Sequence, residues 1–218
     1  MLIGEGLCKA YGQGSARAII LDGVDVRVRR GEFVVVTGPS GSGKTTLLHC
    51  LSGLATPDAG RVLLDGVDLA SLSDDARTDV RAQRMGFVFQ TLNLLPALNA
   101  RENVELPLIL AGLRTADVRA RAGAALESVG LGDRGPALPA QLSAGEQQRV
   151  AVARAVVTDP DVLWADEPTG ALDTVSATQV LELLRGQAGK RTVVVVSHDP
   201  TVAALADSVI TVSDGRVV

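Results

Sequence analysis

The sequence has few aromatic residues, only two cysteines, no excess of positive charge and no long hydrophobic run. Aromatic residues make up 2% of the 218 residues although 46% are hydrophobic, which predicts one α/β-sized domain with an aliphatic core. Cys8 and Cys50 provide neither a disulfide framework nor the spacing of zinc ligands. They therefore indicate reduced thiols in a cytosolic protein.

The charge balance and the short apolar runs exclude two kinds of direct partner. A net charge of −4 argues against sequence-independent binding to nucleic acid or to anionic lipid. The longest apolar runs, such as Phe33–Val36 and Val193–Val196, are far shorter than the roughly 20 residues that a membrane-spanning helix needs. We expect no nucleic-acid partner and no direct membrane insertion, so any role at a membrane would require a partner protein.

Strand-like runs alternate with helical patterns at both ends of the chain. Runs rich in Val, Ile and Leu predict buried strands at 31–37, 161–166, 192–197 and 208–212. Helical patterns follow at 44–51, 175–185 and 201–206. This alternation predicts an α/β fold with a largely parallel sheet.

Two further regions depart from that alternation. Half-buried strands near the N-terminus predict an antiparallel patch, with strands at 2–10, 18–21, 24–30 and 61–64 and turns at Asp22-Gly23 and Asp65-Gly66. Residues 91–157 contain no good strand and predict helices at 101–112, 115–130 and 144–157. We expect a helical subdomain at 91–157, inserted into a core formed by 1–90 and 158–218 of a single domain.

A glycine-rich loop carries the first chemical signal. Gly38-Pro39-Ser40-Gly41-Ser42-Gly43-Lys44-Thr45 matches the phosphate-binding pattern G-x-x-x-x-G-K-[ST], with a buried strand before it and a helix after it. Backbone N–H groups of such a loop point at phosphate oxygens, Lys44 would bridge the β- and γ-phosphates, and Thr45 would bind Mg²⁺. We expect these eight residues and Thr46 to bind ATP; the alternative is a Gly/Ser turn with a surface lysine.

Two acids at the end of a predicted strand indicate which reaction takes place at the phosphate-binding loop. Asp166 and Glu167 follow the apolar run Val162–Ala165. Asp166 suits a carboxylate that holds Mg²⁺, and Glu167 suits the base that activates the attacking water. The alternative is a pair of acids at a helix N-terminus.

The segment Gln141-Leu142-Ser143-Ala144-Gly145-Glu146-Gln147-Gln148-Arg149 and the residues after it resemble the signature motif of ABC-transporter ATPases. Other family elements follow the same order: Tyr11 resembles the adenine-stacking aromatic, Gln90 the Q-loop glutamine, Gly170-Ala171-Leu172-Asp173 the D-loop and His198 the switch histidine. The resemblance implies the ABC ATPase fold: a P-loop NTPase with a RecA-like, mainly parallel sheet, an N-terminal antiparallel β-subdomain and an inserted helical subdomain.

The resemblance also implies a role for each of these residues. Ser143, Ala144, Gly145 and Glu146 of one subunit would close over ATP held by its twin in a homodimer. Glu167 and His198 would position the attacking water, Gln90 would sense Mg²⁺ and the γ-phosphate, and Asp173 would serve the D-loop. Ala144 and Glu146 depart from the commonest signature, which has Gly and Gln there, and a methyl group at 144 is tolerable if its φ is negative. The alternative for Tyr11 is an ordinary surface or core tyrosine, and stacking alone would also accept GTP.

Several motifs resemble the LolD, MacB and FtsE group in particular, namely the loop 38–44, Gly86–Gln90, Asn93–Pro96 and Glu102–Leu108. This implies an integral membrane permease with an extracytoplasmic domain as partner, and a peripheral position at the cytoplasmic face. Efflux or lipoprotein release is expected; the alternatives are a complex that regulates cell-wall hydrolases and a nutrient importer. A DNA-handling ATPase and an inactive regulatory module fit less well, because the sequence lacks a basic face and retains Lys44, Glu167 and His198.

Overall fold

Two units make up the computed structural model, which describes residues 1–12 and 17–218. The first contains residues 1–81 and 188–218, and the second contains residues 82–187. In chain order the strands are β1 (Leu2–Tyr11), β2 (Ala18–Val28), β3 (Phe33–Thr37), β4 (Ala59–Leu64), β5 (Val67–Asp68), β6 (Met85–Val88), β7 (Val162–Asp166), β8 (Thr192–Val196), β9 (Ser208–Ser213) and β10 (Arg216–Val217). The α-helices are α1 (Lys44–Leu51), α2 (Asp74–Arg84), α3 (Ala100–Leu110), α4 (Thr115–Ser128), α5 (Ala144–Val156), α6 (Thr174–Arg185) and α7 (Pro200–Ala203).

The first unit contains the expected antiparallel sheet, with the strand order β2-β1-β4-β5. The hairpin between β4 and β5 turns at Asp65 and Gly66, which both have positive φ, as the Asp-Gly pair predicts. The turn predicted at Asp22-Gly23 is wrong, because β2 runs through both residues. Gly23 has φ 66°, and the pairing of β1 with β2 shifts register between Leu7 and Lys9. The Asp22-Gly23 pair, which is typical of a turn, therefore lies at a β-bulge within the strand.

A parallel layer in the same unit confirms the prediction of a strand buried on both faces. Strand β3 pairs in parallel with β8 on one side and with β9 on the other, in the order β10-β9-β3-β8. Phe33 through Val36 are each 0% exposed. This strand leads directly into the glycine loop and α1, so its burial fixes where the loop begins.

The second unit joins a parallel strand pair to a group of helices. Met85 of β6 is paired with Val162 of β7, and α5 passes so close to β6 that a Cβ on Gly86 would lie 1.9 Å from the carbonyl oxygen of Ala155. Residues 91–157, all of which the structure describes, contain no strand, as expected. The subdomain boundaries at 91 and 157 stay a prediction, and that range lies wholly within this unit.

Across residues 1–12 and 17–218, none of the helices combines the length and the apolar character needed to cross a bilayer. The longest, α4, has 14 residues.

Candidate functional site

The glycine loop lies in the first unit, between the end of β3 and the start of α1. Gly38 and Gly43 have φ values of 141° and 104°. A Cβ on Gly38 would lie 2.0 Å from the carbonyl oxygen of Val212, and one on Gly43 would lie 2.7 Å from that of Ile20. Glycine is therefore required at both positions by backbone conformation and by space. The loop is held in one tight path against the neighbouring backbone.

Lys44 and Ser42 supply the polar groups inside this loop. The buried Lys44 donates hydrogen bonds from Nζ to the carbonyl oxygens of Gly38, at 2.9 Å, and Pro39, at 2.7 Å. The hydroxyl of Ser42 is buried and has no hydrogen-bond partner among the described residues. A fixed cation, a hydroxyl that lacks a partner and a helix N-terminus together fit a bound phosphate chain.

The other expected ATP-binding residues surround these two. Pro39, Ser40, Gly41 and Thr45 are exposed along the loop and Thr46 is half-buried. Tyr11 ends β1 in the same unit, and its side chain is 47% exposed. An exposed ring at a strand end is available to stack against a flat ligand.

His198 follows β8 in the first unit and is exposed. The neighbouring Asp199 donates from its backbone N–H to Ser197 Oγ at 3.1 Å, and its carboxylate accepts from Thr201 at the start of α7. The hydrogen bonds from the Thr201 hydroxyl and backbone N–H lower the pKa of Asp199. The Asp199 side chain thus caps a helix, and three consecutive residues after a strand do not form the geometry of a catalytic triad.

The paired acids lie in the second unit, at the carboxyl end of β7. Asp166 is the last residue of the strand, and Glu167 has φ 45°, in the left-handed region that a non-glycine residue rarely adopts. Both residues are half-buried. Strained backbone at an acid that directly follows a buried strand is typical of a functional site.

The signature segment begins α5 with a capping box. Ser143 accepts the N–H of Glu146 at 3.2 Å, and the Glu146 carboxylate accepts the N–H of Ser143 at 2.8 Å. Glu146 also forms an ion pair with Arg134 at 3.1 Å. The hydrogen bond from the Ser143 N–H lowers the pKa of Glu146. The glutamate that departs from the commonest signature therefore has a structural role at its own helix end.

The next two residues of the signature are explained by backbone and packing. Ala144 is the first residue of α5 and is not among the residues with positive φ, so its methyl group costs nothing there. Gly145 is buried, and a Cβ on it would lie 2.5 Å from Ser176 Oγ. Ser143 and Ala144 are exposed. The helix end therefore presents residues 143 and 144 outwards while Gly145 packs against α6.

A cavity of about 550 Å³ in the second unit brings the Q-loop, signature and D-loop segments together. Its lining includes Gln90, Leu94, Ala144, Gln148 and Leu172. Gln148 is 4% exposed, and its Nε2 has no hydrogen-bond partner in the part of the chain that the structure describes.

Asp173, directly after the cavity-lining D-loop residues, caps α6 by accepting the N–H groups of Val175 and Ser176. Hydrogen bonds from the Ser176 N–H and hydroxyl lower the pKa of Asp173.

Two residues that shape this region were not anticipated from the sequence. Arg154 donates to the carbonyl oxygens of Leu92 and Asn93, both at 2.6 Å, and burial lowers its pKa. Asn103, which is 0% exposed, accepts the N–H of Leu95 and donates to its carbonyl oxygen. Both side chains hold the segment after Gln90. The only signal in the sequence was a polar residue on the apolar face of a predicted helix.

Comparison with known proteins agrees with this arrangement. The family model described as ABC transporter matches residues 21–170. The macrolide export ATP-binding/permease protein MacB of Brucella melitensis is 46% identical over 215 residues, covering 98% of this chain and 33% of MacB. An uncharacterized ABC transporter ATP-binding protein of Thermotoga maritima is 47% identical over 211 residues, covering 96% of this chain and 90% of that protein. This chain therefore spans about a third of the MacB relatives and nearly all of the shorter relative.

A solved structure extends the likeness to three dimensions. An ATP-binding cassette, solved as a dimer in a post-hydrolysis state with ADP and Pi, superimposes with a TM-score of 0.92 at 39% identity. The match covers 100% of this chain and 96% of that one.

This chain belongs to the ABC transporter family and has the fold of its ATP-binding cassettes. Within the family it is an ATPase subunit of the MacB-like subgroup. The recognition, fold class and enzyme class expected from the sequence are thereby confirmed.

Proposed function

We propose that this chain binds ATP with Mg²⁺ at its glycine loop, hydrolyses the ATP as a homodimer, and thereby drives conformational work in a membrane-embedded permease. The observation that carries the proposal is the loop itself. The Lys44 ammonium group lies within a backbone whose path requires Gly38 and Gly43, together with the Ser42 hydroxyl, which has no hydrogen-bond partner within residues 1–12 and 17–218. Such a loop offers a cation and N–H donors to the phosphates of a nucleotide.

The proposed chemistry assigns one task to each polar group. Thr45, Gln90 and Asp166 offer the hydroxyl, amide and carboxylate oxygens that Mg²⁺ prefers, and the ion would supply charge neutralisation at the β- and γ-phosphates. Glu167 would accept a proton from the attacking water, and His198 would donate a hydrogen bond to the γ-phosphate. Tyr11 would stack against the base. Stacking alone discriminates poorly between adenine and guanine.

The proposed dimer is head to tail, with Ser143, Ala144, Gly145 and Glu146 of one subunit facing the nucleotide of the other and Asp173 near the contact. The exposure of Ser143 and Ala144 at the N-terminus of α5 supports this, because that helix end can offer N–H groups to an anion. Glu146 would act indirectly, since its carboxylate already binds the Ser143 N–H and Arg134. The solved relative is itself dimeric.

The proposed membrane partner is an integral permease with an extracytoplasmic domain, which would hold this subunit at the cytoplasmic face. The ATP-binding/permease name of the MacB relatives supports a permease of the export type. The cavity lined by Gln90, Leu92 and Leu94 offers an apolar surface in the second unit for a segment of that partner. Regulation of cell-wall hydrolases and nutrient import remain the alternative tasks of the same machinery.

Removal of the loop cation tests the proposal most directly. Lys44→Ala should weaken ATP binding by about a hundredfold or more, because a buried charged hydrogen-bond donor is lost from the phosphate site. Isothermal titration with ATP and Mg²⁺ measures this, and Lys190→Ala, at an exposed lysine of the same unit, is the matched control. Micromolar affinity retained by Lys44→Ala would overturn the assignment of the loop.

A further inference from the structure

Lys9 and Tyr11 lie on the same side of β1, because alternate residues of a strand point to one face. The Lys9 ammonium nitrogen lies over the Tyr11 ring, 5.5 Å from the ring centroid. This is within the range at which an ammonium group is attracted to an aromatic face. Tyr11 is nevertheless 47% exposed, so the residue remains accessible to another flat group.

Lys9 is itself held by the loop that precedes β4. Its Nζ donates to Asp58 Oδ1 at 2.9 Å and to the carbonyl oxygen of Thr56 at 2.8 Å. The lysine side chain is only 16% exposed, so this ion pair is better shielded from water than most surface pairs. The ammonium group against the ring is thus fixed from behind by two acceptors.

Asp58 also fastens the backbone of β1 next to Tyr11. The pairing of β1 with β4 ends at Cys8 and Ala59, and beyond that point Asp58 Oδ2 accepts the N–H of Ala10 at 2.8 Å. The N–H of Asp58 donates to the carbonyl oxygen of Cys8 at 2.8 Å. On the β4 side, the hydrogen bonds of Asp58 therefore replace those between β1 and β4 where the pairing of these strands ends. The last of them, to Ala10, is one residue before Tyr11.

We propose that Lys9, anchored by Asp58, is a positioning residue that fixes the Tyr11 ring as a platform for the nucleotide base. The inference rests on the proposed function, since it requires Tyr11 to stack against the base. The cation occupies one face of the ring and the base takes the other. Fixing the ring before the nucleotide arrives removes an ordering cost from binding, because a free tyrosine side chain at a strand end would have to be immobilised by the base.

The test compares a ligand that has a base with one that lacks it. Lys9→Met, which keeps the length of the side chain, and Asp58→Asn, which keeps the shape of the carboxylate, should each weaken ATP binding by about three- to tenfold, within the range of cation–π and base-stacking contributions. Both variants should bind inorganic tripolyphosphate as the unmodified chain does. Lys9→Arg should restore ATP affinity, because a guanidinium group also binds an aromatic face.

Two further variants separate this inference from a general structural effect. Lys9→Met added to Tyr11→Ala should cause no further loss of ATP affinity, since the lysine acts only through the ring. Arg61→Met removes another ion pair of the same sheet, that with Glu5 at 2.6 Å, and should leave ATP affinity unchanged. Titration calorimetry with ATP and tripolyphosphate measures the unmodified chain and all of these variants, with Tyr11→Ala alone as the reference for the double variant.

Three outcomes would overturn the inference. Equal losses for ATP and tripolyphosphate would mean that Lys9 acts through its charge on the phosphates. A further loss in the Tyr11→Ala background would mean that it acts independently of the ring. Unchanged ATP affinity in Tyr11→Ala would remove the platform itself, while loss of binding in Lys44→Ala would still uphold the proposed ATP site.

Discussion

Gly145, the second residue of α5, packs directly against Ser176 of α6. A Cβ on Gly145 would lie 2.5 Å from Ser176 Oγ and 2.8 Å from Ser176 Cβ, both closer than atoms in contact can approach. Ser176 cannot swing away freely, because its hydroxyl donates to Asp173 Oδ2 at 2.8 Å. The glycine of the signature segment is therefore required by contacts within its own chain, whatever it contributes to a nucleotide.

Gly145→Ala should accordingly destabilise the second unit by about 1–3 kcal/mol, the usual cost of overpacking a tight contact. Urea denaturation measures the change in the free energy of unfolding. Ser176→Gly removes both atoms that the new methyl group would meet. Adding Gly145→Ala to the Ser176→Gly variant should therefore cost much less stability than adding it to the unmodified chain. Strictly additive effects of the two substitutions would contradict the packing explanation.

Glu146 leads to a prediction about pH. Its pKa is lowered from the ordinary value of 4.5 by the hydrogen bond from the Ser143 N–H. The folded state therefore binds the proton less tightly than the unfolded state does. The ionised carboxylate stabilises the fold fully above pH 4.5, and this contribution is lost as the pH falls through the lowered pKa.

Glu146→Gln keeps a capping side chain but removes the charge, so it should cost about 0.5 kcal/mol at pH 7, the usual value of an acid in the first turn of a helix. The difference from the unmodified chain should shrink as the pH is lowered below 4.5. Chemical denaturation at pH 7 and at successively lower pH values measures it. Glu127→Gln, at an exposed position in the last turn of α4, is the control. A difference that grows on acidification would contradict the assignment.

Local pattern was enough to predict the parts of the fold that are decided by local chemistry. The run Phe33–Val36 is wholly apolar, and the Gly-rich segment and the helix after it are set by short-range rules, so β3, the loop and α1 agree with the expectation. Asp22-Gly23 was misleading because a bulge and a turn use the same residues, and only pairing with β1 distinguishes them. Helix α2 was missed because none of its residues is buried, which leaves no apolar face to detect.

The contacts that position the site could not be predicted in the same way. Arg154 reaches carbonyl oxygens about sixty positions away in the sequence, and Lys9 reaches Asp58, which is 49 positions away. An arginine in a predicted helix and a lysine in a predicted half-buried strand are common, so neither residue indicates a long-range contact in the sequence. Their roles follow only from the tertiary placement of their partners.

The carboxylate of Glu167 can be tested without disturbing its backbone. Glutamine has nearly the same size and tolerates the left-handed φ of 45° about as well as glutamate, so Glu167→Gln removes the proposed base and keeps the shape of the side chain. We expect ATP to bind while hydrolysis stops, which traps a nucleotide-bound dimer. Light scattering after size exclusion with ATP and Mg²⁺ measures the mass. Glu182→Gln, exposed on α6, should behave as the unmodified chain, and a Glu167→Gln monomer at saturating ATP would count against the head-to-tail dimer.

The apolar segment after Gln90 supports the last prediction. Leu94 lines the cavity of the second unit, and Leu95 is 43% exposed beside it while Asn103 holds its backbone. A charge at Leu95 can remain in water, so Leu95→Glu should change the free energy of unfolding by less than about 0.5 kcal/mol.

Leu95→Glu should nevertheless weaken association with the permease, because an apolar contact would have to bury a carboxylate, while the basal ATPase rate of the isolated subunit stays unchanged. Co-purification with a co-expressed candidate permease, together with its stimulation of ATP hydrolysis, measures the effect. Leu110→Glu is the matched control, since Leu110 is 79% exposed at the end of α3, whereas both sequence neighbours of Leu95, Leu94 and Pro96, line the cavity. Equal co-purification of both variants would count against the segment after Gln90 as the docking surface.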